Sequence, residues 1–188
     1  MDGLDDYLDK IAAKRKKPSG DESVARVLDD EFYKLGYGDT ARLSILGDVG
    51  RENAWNRKTI FGGHSDPKNK SFNRGIISWQ GDRVKKLDDH LKKEGVYGKG
   101  DDDELRGMAR FMDKELREQF PDVHKGLLNA KGTYDASEAL RKYIKYDPSA
   151  PYNSPDAEFR VKNNADWARR AKKAGLATKG LDDYLDRI

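Results

Sequence analysis

Apolar residues recur at helical spacing along most of the chain, and stretches rich in glycine and polar residues separate them. Val24, Val27, Leu28, Phe32 and Leu35 fall three or four apart and predict a helix that Gly36 stops. A second helix, capped by Asp39 or Thr40, continues through Leu43, Ile45, Leu46 and Val49. The pattern then fails over residues 56–81, NRKTIFGGHSDPKNKSFNRGIISWQG, which read as an irregular hairpin or lobe and not as a helix. Helical spacing resumes with Val84, Leu87 and Leu91, stopped by Gly95, and again with Leu105, Met108, Ala109, Met112 and Leu116, ending before Pro121. DASE (Asp135 to Glu138) has the form of a capping box opening a helix through Leu140, Tyr143 and Ile144. SPDAE (Ser154 to Glu158) places an N-cap serine, a first-turn proline and two acids ahead of a long final helix. The expected fold is mainly α with an α+β character: about seven helices and one small strand-and-loop lobe.

The second helix contains an unusual segment, ILGDVGRENAW (Ile45 to Trp55). At about 100° per residue, Leu43, Leu46, Gly50 and Ala54 share one face and Ile45 and Val49 a second. Only Ser44, Asp48 and Arg51 remain for a narrow polar wedge, so the helix is expected to be mostly buried. Each interior glycine costs roughly 1 kcal/mol relative to alanine, so Gly47 and Gly50 make sense where another backbone comes close. Glu52 falls at the edge of the wedge, at the end of the helix where the irregular lobe begins. Burial, with Asp48 one turn back, would raise the pKa of such a carboxyl toward what a general acid needs at neutral pH. The competing reading pairs Glu52 with Arg51, Arg57 or Lys58 as a local ion pair.

Composition narrows the chemistry. The 188 residues are 36% hydrophobic and 38% charged, and three Trp, nine Tyr and six Phe are spread along the chain, which fits one folded domain. Thirty-seven Lys and Arg against 34 Asp and Glu leave a formal charge of +3, too balanced to mark a nucleic-acid binder but compatible with an anionic partner surface. The absence of cysteine excludes disulfides, thiol nucleophiles and Cys-based zinc sites. His64 and Asp66 in GGHSDP are a conceivable metal pair, but His90 and His124 lack ligand spacing to them, so neither metal nor cofactor is expected. The first residues lack the apolar core of a signal peptide and no apolar run approaches the ~20 residues of a membrane span, so no membrane partner is expected.

DGLDDYLDKI (Asp2 to Ile11) and KGLDDYLDRI (Lys179 to Ile188) share eight of ten residues at opposite ends of the chain. Each is a short amphipathic helix by spacing. The copies are either peripheral helices packed on the domain or each other, or docking motifs for a carrier or a neighbouring copy. The expected organisation is an N-terminal motif with its basic linker over 1–20, a domain over 21–175, and a linker with the second repeat over 176–188.

ILGDVGRENAW resembles the ILGN-x-x-x-ES-x-F element of phage tail lysozyme-like domains, within the wider lysozyme and lytic transglycosylase superfamily. GIISWQGDR (Gly75 to Arg83) resembles their GI-x-QW-x-G-x-R segment. YIKYDPSAPYNSPDAEFRVKNNADWA resembles their late YE-x-P element and arginine-bearing last helix. The departures are Asp48 for an asparagine, Asn53 for the serine after the glutamate, ISW for xQW, and Asp147 for a glutamate.

The resemblance implies a lysozyme-like fold and cleavage of the β-1,4 bond between N-acetylmuramic acid and N-acetylglucosamine in peptidoglycan, with Glu52 as the catalytic acid. A hydrolase needs a second carboxylate, for which Asp66 and Asp82 are the candidates; a lytic transglycosylase does not. Trp79, Gln80, Tyr143, Tyr146 and Asp147 would line the cleft, Trp79 stacking on a sugar and Gln80 bonding an acetamido group. Taken by themselves, Trp79 reads as a core aromatic anchoring the lobe, and Tyr143 or Tyr146 as support for its helix. The implied setting is a virion-borne protein acting on peptidoglycan glycan strands in the bacterial cell wall or periplasm. The rivals are a non-catalytic structural module with this fold and a DNA-associated virion protein, the latter using KRKK (Lys14 to Lys17) and ARRAKKAG (Ala168 to Gly175).

Overall fold

The structure is a computed structural model that describes residues 22–65, 72–144 and 165–177. The end repeats, the KRKK run, the SPDAE helix start, Asp66, Tyr146 and Asp147 lie outside these residues. Within them the chain is mainly helical, with eight helices and one three-stranded antiparallel sheet.

Helices α1 (Glu22–Lys34) and α2 (Asp39–Asn53) form where the apolar spacing places them. The first cap differs from expectation: Gly38, with extended φ and ψ, takes the N-cap place ahead of Asp39 and Thr40. Asp39 instead accepts from Arg42 Nη2 at 2.7 Å. A six-residue helix, α3 (Arg57–Gly62), opens the segment expected to be wholly irregular; the Asn56 side chain accepts from Thr59 N–H and starts it.

Strands β1 (His64–Ser65), β2 (Phe72–Arg74) and β3 (Trp79–Gln80) follow, with His64 opposite Asn73 and Arg74 opposite Trp79. Helices α4 (Asp82–Lys93) and α5 (Asp102–Gln119) come next, α5 capped by Asp101 bonding the N–H groups of Asp103 and Glu104. A further helix, α6 (Pro121–Leu128), lies where only an end to α5 was expected, with Pro121 in its first turn. Helix α7 begins at Thr133 and runs to Ile144, so DASE lies just inside it, and Asp135 accepts from the N–H of Lys131. The last described helix, α8, spans residues 165–173.

One core joins these elements. Helix α1 packs on α5, α2 on α7 and α1, and α4 on α5, while α6 and α7 lie side by side. Helix α8 closes the body beside α2. Ala171 and Leu176 enter the core, and Arg26 donates to the carbonyl of Ala174. Buried Asp29 accepts from Arg42 Nε at 2.7 Å and from the N–H of Ala177 at 3.0 Å. An isolated buried carboxylate would be costly; here the chain's return to α1 completes its bonds.

The lobe is fixed to the body through Arg74, which is buried, pairs with Asp88 on α4 and Glu104 on α5, and lies against the Tyr97 ring.

Candidate active site

Helix α2 ends at the seam between body and lobe, and Glu52 lies in its last turn. The helix is mostly buried, as its apolar spacing predicts, and the polar wedge is buried with it: Ser44 and Asp48 are at 2% exposure or less, and the Arg51 side chain is at 9%. Glu52 keeps 20% of its side chain exposed. It is therefore a partly exposed carboxylate at the C-terminal end of a mostly buried helix. Asp48 does not face it alone, because Arg51 reaches both: Nη2 lies 2.5 Å from Glu52 Oε1 and 3.4 Å from Asp48 Oδ1. The Arg51 pairing weighed from sequence is present. Arg57 turns to Asp102 instead, at 2.5 Å.

After Glu52 the chain bends sharply. Ala54 and Trp55 both take left-handed backbone angles, φ of 55° and 53°, a conformation that costs a non-glycine residue of order 1–3 kcal/mol. Burial of the Trp55 ring, with its Nε1 donating to the Leu46 carbonyl at 3.0 Å, holds the turn. Asn53 accepts from the N–H of Trp55 at 3.0 Å and donates to the carbonyl of Ile76 in the lobe at 2.6 Å.

Gly50 meets a ring and not a backbone, correcting the sequence expectation. A Cβ there would lie 2.5 Å from the Trp167 ring of α8, which packs edge-on against Trp55 at 4.8 Å and carries Arg170 over its face.

Trp79 and Tyr143, expected on the cleft wall, lie in the core, at 1% and 0% exposure. Trp79 packs beneath Gly75, whose φ of 88° lets the chain pass over the ring where a Cβ would come within 2.5 Å. What brings the two aromatics together is Glu115 on α5, a residue the sequence reading passed over. Its carboxylate accepts from Trp79 Nε1 at 2.8 Å, Tyr143 Oη at 2.7 Å and Arg83 Nη2 at 2.8 Å. Burial alone would push the Glu115 carboxyl up, but the bonds from Arg83, Tyr143 and Trp79 outweigh it and hold the group below its ordinary value. Burial first, then the Glu115 charge, drives the Tyr143 hydroxyl well above its ordinary value, so it remains a donor.

Gln80 and Asp82 flank Gly81 on the surface, Gln80 at the end of β3 and Asp82 in the first turn of α4. The site thus has Glu52 at the helix end, Asn53 bridging to the lobe, and Glu115 anchoring the lobe from behind.

The phage tail lysozyme family model matches residues 24–176. The chain belongs to the phage tail lysozyme family. Membership assigns it a lysozyme-like, cell-wall-degrading role as a virion-associated protein, with peptidoglycan as its substrate. No curated protein and no solved structure matches the chain. Among the described residues, no helix is long and apolar enough to cross a membrane.

Proposed function

We propose that the protein cleaves the β-1,4 bond between N-acetylmuramic acid and N-acetylglucosamine in peptidoglycan, with Glu52 as the general acid. The observation that carries this reading is the position of Glu52. It is the partly exposed carboxylate in the last turn of a buried helix, and that helix bears the sequence resembling the catalytic element of the family. In this role the Glu52 carboxyl gives its proton to the leaving glycosidic oxygen as positive charge develops on the sugar ring. Arg51, 2.5 Å away, then stands beside the carboxylate left behind.

Exposed Gln80 supports binding of an acetamido group, and Tyr146 and Asp147 join the cleft by the resemblance alone. In a hydrolase, Asp82 or Asp66 would activate water or form the glycosyl intermediate. In a transglycosylase, Glu52 would return as base while the sugar's own hydroxyl attacks. The protein would be delivered with a phage particle, its end repeats docking on a carrier or a neighbouring copy.

Mass spectrometry of the fragments released from purified peptidoglycan tests the reaction and its mechanism together. Reducing ends, with one of Asp66→Asn and Asp82→Asn losing at least about a hundredfold in rate, are expected of a two-carboxylate hydrolase. Anhydro products with both variants fully active are expected of a transglycosylase. No release at all would contradict cleavage and favour a non-catalytic wall-binding module.

A further inference from the structure

Asn53 directly follows the proposed acid, and its amide acts in two directions. Oδ1 takes the N–H of Trp55 at 3.0 Å and so closes the left-handed turn that ends α2. Nδ2 gives a hydrogen bond to the Ile76 carbonyl at 2.6 Å, across the seam and 23 residues along the chain. Ile76 belongs to the turn joining β2 to β3, closed by Ser78 N–H on the Gly75 carbonyl, and leads directly to the Trp79 anchor on Glu115. At 6% exposure, neither Asn53 bond has water to replace it easily.

The last turn of a helix is its least restrained part, because its final carbonyls have no partner within the helix. Glu52 stands in that turn. The peptide that follows it is held from two sides by one side chain, which links the helix end to the lobe against which a glycan strand would lie. A serine, the residue after the glutamate in the resembled element, donates and accepts through one short hydroxyl. Asparagine carries its donor and its acceptor on separate atoms of a longer side chain, which here reach the Ile76 carbonyl and the Trp55 N–H in different directions.

We infer that Asn53 is a positioning residue of the active site: it sets the angle at which α2 presents Glu52 to a saccharide held against the lobe. The inference rests on Glu52 being the general acid. Misplacing a reacting group by about 1 Å can lower a rate by ~100-fold, so loss of this restraint falls on the chemical step more than on substrate binding.

The test is a double-mutant cycle on full-length protein: wild type, Asn53→Ala, Glu52→Gln and the double variant. kcat and KM on purified peptidoglycan are measured at enzyme concentrations high enough to read residual rates, with the melting temperature of each protein. Asn53→Ala is expected to lower kcat about tenfold or more with KM within about twofold, and to change the rate by less than about twofold when added to Glu52→Gln. A residue that merely supports the fold would instead lower the rate by the same factor in both backgrounds, and that result overturns the inference.

If Asn53→Ala does not fold, Asn53→Asp enters the same cycle with the same expectation, since it keeps the acceptor for Trp55 but has no N–H for Ile76. An inactive wild type, or a fully active Glu52→Gln, overturns the acid reading and this one with it. An inactive Glu52→Gln beside an unchanged kcat in the Asn53 variant overturns this one alone.

Discussion

Glu115 shows how a single side chain can be decisive for the site without touching it. Its carboxylate holds Trp79 of the lobe, Tyr143 of α7 and Arg83 of α4 around one buried point. Because its folded pKa lies below the unfolded value near 4.5, it contributes stability that is present above that value and lost as pH falls through the lower folded one. Glu115→Gln should therefore lower stability at neutral pH by roughly 3 kcal/mol or more, by leaving Arg83 without its partner. Its melting temperature should also fall less steeply than wild type below about pH 4.5. Parallel slopes in an acid titration followed by circular dichroism would contradict this assignment. The sequence did carry a signal, since Glu115 lies on the apolar stripe of α5 four residues after Phe111 and three after Met112. Trp79 and Tyr143 were harder, because whether an aromatic ring faces sugar or core depends on a partner supplied from a distant helix.

Among the elements, α2 and α8 depend on each other through Gly50. An alanine there gains helix propensity of up to about 1 kcal/mol, but its Cβ would meet the Trp167 ring at 2.5 Å. Trp55 and Arg170 crowd that ring, so overpacking of about 1–3 kcal/mol should prevail. Gly50→Ala is expected to lower the melting temperature by about 2–8 °C for a chain of this size, measured by calorimetry. An unchanged or higher value would mean that α8 does not seat on Gly50. The long helices α1, α2, α4, α5 and α7 were legible because three or more turns of apolar spacing repeat the same message. The short helices α3 and α6 were not. Six and eight residues hold too few apolar positions to show a period, and what starts them is an Asn56 side-chain bond and a first-turn proline.

For the molecule as a whole, a helical body and a three-stranded lobe meet where α2 ends, and the same seam holds the proposed acid. Helical periodicity made the body legible; the lobe showed itself only as a break in that periodicity, since its strands are two or three residues long. Within the candidate site, Glu52 stands out in the sequence through the family resemblance. Glu115 and the role of Asn53 emerged only once the fold brought residues 23 to 36 positions apart into contact. In the proposed reaction Glu52 supplies the proton for glycan cleavage. The most direct test of this role is the rate of muropeptide release by Glu52→Gln, which keeps the side chain's shape but has no carboxyl proton to give. The variant should melt at the wild-type temperature and release muropeptides at least about a hundredfold more slowly. A correctly folded Glu52→Gln protein with more than about a tenth of wild-type activity would contradict a general-acid role.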